Sequence, residues 1–161
     1  MENLRAGAGA ELISLFGVKP TFTKESLKEL EDEINKKFPV ERKRLPTTTM
    51  PFGFYFGETL VKNYKNAKWV TKDAVDILSV GVKITSKKKN GMELMVYPFV
   101  RAEKFLVDRS DGFLVVYNSI PFALEKASDQ KYLKEVTGAD GWIRLPNNER
   151  MRITMLKKKR Q

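Results

Sequence analysis

The chain contains no histidine and no cysteine. Ser-His-Asp and Cys-His catalytic arrangements are therefore excluded. Zinc sites built from imidazole and thiolate are excluded for the same reason. There is no disulfide framework and no thiol chemistry, and no switch based on imidazole protonation. What remains for catalysis is carboxylate, lysine, tyrosine, hydroxyl, or a metal held by oxygen. The balance moves away from an enzyme, so no catalytic residue, metal ligand or cofactor is expected. Long apolar runs are missing as well. None approaches the roughly 18 residues of a membrane-crossing helix. The opening stretch MENLRAGAGAELISLF carries Glu2 and Glu11 and lacks the apolar block of a secretory signal. A cytoplasmic protein without a membrane partner is the expectation.

What the chain does have is length, charge and aromatics. Its 161 residues suit one domain with a real hydrophobic core. A single domain over residues 1–161 is expected, with flexible ends at 1–10 and 157–161. The net charge is +10. Arg42 to Arg44, Lys87 to Lys89 and Lys157 to Arg160 form three short runs whose ten positive charges equal the whole excess. The rest of the chain is balanced. Such runs serve either as phosphate contacts for nucleic acid or as solvated loops and tails.

Hydrophobic spacing divides the chain into elements. Residues 1–22 read as a weakly ordered start with one apolar segment, Leu12 to Phe16. Thr23 then caps a helix in which Leu27, Leu30, Ile34 and Phe38 recur at helical spacing, and Pro39 stops it. PVERKRLPTTTMP reads as a loop. Pro51 opens a second helix. Its wheel places Gly53, Gly57, Leu60, Val61 and Tyr64 on one face. Bare backbone at the start of that face predicts that another backbone approaches closely. Glu58 is expected to pair with Lys62 one turn on.

AKWVT at 67–71 predicts a strand. Val80, Val82 and Ile84 alternate on the next strand, and Asn90-Gly91 signals a hairpin turn back into MELMVYP. The run Lys87, Lys88 and Lys89 then sits at the hairpin tip. Pro98 starts a helix with Phe99, Ala102, Phe105 and Leu106 inward, which turns Arg101 and Lys104 outward or sideways. Residues 113–120 fit either strand or helix. Ser119 caps a helix that runs to Gly138, and a last strand lies near Arg152 to Leu156. No Gly-rich phosphate loop and no calcium-loop pattern is present. Asp129-Gln130-Lys131 has an acid-x-Lys form, but it falls inside an expected helix. The acids Asp73, Asp76, Glu93 and Glu103 read as scattered surface charges.

The order FGFYFGETLVKNYKNAKWV, then strands, then VYPFVRAEKFL, then DGFLVVY resembles a loosely defined group of small bacterial domains of unknown function. The matching positions are Gly57, Glu58, Trp69, Pro98, Phe99, Arg101 and Lys104, within residues 50–120. The resemblance implies a protein-binding, immunity-like role and brings no catalytic residues with it.

The fold class expected is α+β: a small antiparallel sheet packed against three or four helices. The function expected is non-catalytic binding of another macromolecule, a protein of acidic character. Nucleic-acid binding through the Lys/Arg runs is the alternative. The partner surface is assigned to Arg101, Lys104, Lys87, Lys88 and Lys89, with Gly53, Gly57 and Trp69 as structural positions.

Overall fold

Thr23 starts the first helix as its sequence suggests. Its Oγ1 accepts the Ser26 N–H at 3.2 Å, and Ser26 Oγ accepts the Thr23 N–H at 3.0 Å. This reciprocal cap satisfies donors that a helix start leaves open. Helix α1 spans Lys24–Lys37 and buries Leu27, Leu30 and Ile34. Lys36 and Lys37 near its end both pair with Glu33, at 2.8 and 2.9 Å. The computed structural model describes residues 13–14, 16–40, 46–71, 76–86, 93–110, 112–126, 142–144 and 150–152. The expected flexible ends, the turn at Asn90-Gly91, Asp129-Gln130-Lys131 and all three basic runs lie outside them.

The segment before α1 is less loose than its composition suggests. Ile13 and Val18 are buried. The Phe16 ring lies 5.2 Å from Phe38 and 5.4 Å from Phe52, and its carbonyl accepts Lys37 Nζ at 2.9 Å.

Helix α2 spans Pro46–Asn63. Residues 46–50 were expected in a loop, and they are helical. Pro46 takes the start position, where a missing N–H costs nothing, and Pro51 lies inside the helix. The four described aromatics after it are mostly core. Phe52, Tyr55 and Phe56 are buried and Phe54 is half-buried.

Strands β1 (Ala67–Val70), β2 (Gly81–Thr85) and β3 (Glu93–Val96) form an antiparallel sheet in that order. Trp69 faces Val82, which faces Val96, while Lys68 faces Lys83, which faces Met95. Alternation therefore separates an inner face of Val82, Ile84, Leu94 and Val96, all buried, from an outer face that carries Lys68, Lys83 and Glu93. The second strand begins later than expected. Ile77–Ser79 is a 3-10 turn capped by Asp76, whose Oδ1 accepts the Ser79 N–H at 2.9 Å. Val80 thus lies outside the strand.

Helix α3 spans Pro98–Asp108 and buries Pro98, Phe99, Ala102, Phe105 and Leu106. Arg109 ends it in the left-handed conformation, at φ 59°. Its guanidinium returns to the carbonyls of Phe105 and Leu106 and reaches Phe38 O at 2.6 Å. Helix α4 spans Phe113–Lys126 without a break. The ambiguous 113–120 segment is helical because Phe113, Val116, Ile120 and Ala123 form one buried stripe. Ser119 does not cap a helix. It lies inside one and donates from Oγ to Val115 O at 2.8 Å.

A short antiparallel pair, β4 (Trp142–Arg144) with β5 (Arg150–Arg152), completes the described elements. Among the described residues, four helices and a three-stranded antiparallel sheet make an α+β fold with a small sheet. Among the described residues no helix is long and apolar enough to cross a membrane.

Candidate functional site

Gly53, Gly57 and Trp69 come together, because α2 and β1 lie against each other and α3 closes the corner. A Cβ at Gly57 would overlap the Trp69 ring, and one at Gly53 would overlap the Phe99 ring and come within 3.0 Å of Phe99 Cα. Close backbone approach was expected along this face. It holds at Gly53. At Gly57 the neighbour is an indole, a flat group that needs the same missing side chain.

Glu58 has a different role from the one expected. Its Oε1 accepts the indole N–H of Trp69 at 2.7 Å. Lys62, its expected ion-pair partner, instead sets its Nζ 3.4 Å from the centroid of the Phe22 ring. The competing contacts explain the change. A half-buried indole N–H needs an acceptor, and an ammonium gains from an aromatic face. Phe54 and Phe99 complete the corner. Their rings meet edge to face at 4.9 Å and lie 6.2 and 6.0 Å from Trp69.

Arg101 and Lys104 lie on the outward side of α3, as expected. Arg101 is half-buried and Lys104 exposed, and neither is without a partner. Lys104 lies one turn before Asp108. The Ser110 hydroxyl and N–H hold the Asp108 carboxyl below its usual pKa, and Lys104 adds to the shift. Lys87, Lys88 and Lys89 lie outside the described residues.

Several acids of the described residues have structural work. Glu31 reaches from α1 to the start of α4, where Oε1 accepts the Leu114 N–H at 2.8 Å. Burial pushes its pKa up, while the N–H groups of Leu114 and Phe113 pull it down. Asp76 caps the 3-10 turn, and Glu93 pairs with Lys83 at 2.7 Å. Among the described residues no three acids cluster as metal ligands would.

Sequence reasoning missed the cleft. A cavity of about 400 Å³ opens between the end of α2, the end of β2 and the second half of α4. Tyr64, Ile84, Pro121 and Leu124 give it apolar lining, and Lys65, Asn66, Thr85, Ser86 and Glu125 give it polar lining. Its wall depends on a proline. Pro121 has no N–H to donate to the carbonyl four residues back, that of Tyr117. The Tyr64 hydroxyl, from the turn after α2, donates to this carbonyl instead at 2.9 Å. The two tyrosine rings lie 5.4 Å apart, and burial raises the Tyr64 pKa well above its usual value. An interior proline in an apolar helix was the available signal. It marks an orphaned carbonyl, but it does not say which distant residue supplies the donor.

A scan against protein-family models and searches of curated proteins and of solved structures each return no match. The resemblance over residues 50–120 therefore rests on its motif residues alone.

Proposed function

We propose that this chain is a non-catalytic cytoplasmic domain that binds another protein, and that a partner side chain seats in the cleft beside Tyr64. The observation that carries this reading is the lining of the cleft. An apolar floor rimmed by a few polar groups suits an anchoring side chain with its backbone at the rim. The rim holds both a lysine and a glutamate, Lys65 and Glu125, which suits a polypeptide better than a phosphate chain. The described cations point the same way. Four of them, Lys28, Lys36, Lys37 and Lys83, are paired with acids, so these four offer phosphates little unspent charge. The cysteine-free composition suits the cytoplasm. The immunity-like role implied by the resemblance belongs to the same proposal, since such a role needs a protein partner.

Selection of a displayed random-peptide library against the full chain tests it. Enriched peptides should share an apolar anchor and lose binding to Leu124→Lys, with the variant's melting temperature checked in parallel. No enrichment, together with tight binding of random-sequence RNA or DNA and a steep fall of affinity with salt, would replace protein by nucleic acid as the ligand.

A further inference from the structure

Among the described residues β1 is an edge strand of the sheet and pairs only with β2. The Thr85 N–H donates to Asn66 O at 3.3 Å. Backbone pairing alternates along an antiparallel ladder. Lys68 and Val70 therefore turn their backbone groups toward β2, and Trp69 turns its N–H and C=O off the edge.

Charge on the outer face is uneven. Lys68 is exposed and makes no ion pair among the described residues. It stands opposite Lys83, whose ammonium is already taken by Glu93. The positive charge nearest the edge is thus the uncompensated one. The inner side of the same edge is apolar, with half-buried Trp69 beside half-buried Phe54. Trp69 is also held in place before any partner arrives, by Glu58 on its N–H and by the bare backbone of Gly57 under its ring. A strand fixed in advance lowers the ordering cost of adding another strand to it.

We infer that β1 is a docking edge for an extended acidic segment of a partner protein. The segment joins the sheet as a further strand, with a carboxylate beside Lys68 and an apolar residue beside Trp69. This rests on the protein-binding reading and names the chemistry of the partner. A second copy of this chain is a poor occupant. Of the antiparallel registers open to two such edges, the one that sets Trp69 beside Ala67 of the second copy places Lys68 against Lys68, and facing like charges destabilise a strand pair. Each copy also carries a net charge of +10.

The probe is a short synthetic peptide that alternates valine and glutamate. It is compared with a valine–lysine peptide and with a valine–glutamate peptide N-methylated along one edge, which keeps the charge and loses the donors. The valine–glutamate peptide should bind the full chain and slow hydrogen exchange at the Trp69 backbone amide. The other two should bind at least about tenfold more weakly. Lys68→Glu should reverse the order of the glutamate and lysine peptides. Equal binding of the N-methylated peptide would mean that charge alone attracts it, and would overturn the assignment. So would an unchanged Trp69 amide, or a dimer in sedimentation that Lys68→Glu abolishes. If valine–glutamate peptides fail while library peptides still occupy the cleft, the edge assignment falls and the protein-binding reading stands. If neither kind binds, both fall.

Discussion

On one side of α2 two rings from neighbouring elements rest on bare backbone: Trp69 and Phe99 lie where Gly57 and Gly53 have no side chain. On the side toward α1 the arrangement is reversed. Tyr55 of α2 reaches out, and its hydroxyl donates to Ser26 Oγ at 2.6 Å and accepts the Phe22 N–H at 3.2 Å. Asn63 Nδ2 donates to Phe22 O at 2.7 Å, so both backbone groups of Phe22, a residue at φ 55°, are tied to α2. The glycine side is matched by shape, and the tyrosine side by hydrogen bonds. Shape matching fails when volume is added. Hydrogen-bond matching fails when a partner is removed.

The largest effect should come from adding volume on the glycine side. Gly57→Leu is expected to cost about 1–3 kcal/mol through overpacking, seen as a lower melting temperature and a shifted tryptophan emission. Removing partners should cost somewhat less. Tyr55→Phe leaves the Phe22 N–H without its acceptor, and Glu58→Leu leaves the Trp69 indole without one. Each is expected to cost about 1–2 kcal/mol in denaturant unfolding. Glu58→Gln keeps an acceptor and should cost less than Glu58→Leu.

The proline device at the cleft gives a smaller, coupled effect. Tyr64→Phe should destabilise by about 0.5–1.5 kcal/mol when Pro121 is present, because the Tyr117 carbonyl loses its donor. In a Pro121→Ala background the helix supplies that donor, so Tyr64→Phe should cost measurably less. A double-mutant cycle reads the difference, and strictly additive costs would break the link between the two residues.

The smallest expected effect is one of pH. Burial raises the Glu31 pKa above its ordinary value. A carboxyl shifted this way favours folding while protonated. That contribution is full below the ordinary carboxyl range and is lost as pH rises through the raised value. Glu31→Gln should therefore flatten the acid-side dependence of stability in that window. An unchanged profile would remove Glu31 as its source.

Much of this arrangement was legible in the sequence, and the limits have physical causes. The capped start at Thr23, the inward set of α3 and a small antiparallel sheet follow from local spacing, and the structure has all three. Gly53, Gly57 and Trp69 were recognisable as special positions. What closes the glycine face was not, because a missing Cβ shows that something approaches and not whether it is backbone or ring. Glu58 was misread for a related reason. A local i,i+4 partner is visible in sequence, and an indole eleven residues away in another element is not. Helix α4 was ambiguous because β-branched residues compete with a helical stripe, and burial of that stripe decided it. The cleft escaped notice altogether, since its walls come from three separate elements.

The bare backbone of α2 at Gly57 is the bed on which Trp69 fixes β1. Thermal unfolding of Gly57→Ala tests it most directly, because two effects have opposite signs. Helix propensity alone would stabilise the variant by up to about 1 kcal/mol. A Cβ under the Trp69 ring should outweigh that gain. The expected result is a lower melting temperature than that of the native chain. A higher one would show that the indole does not rest on Gly57, and would contradict the claim.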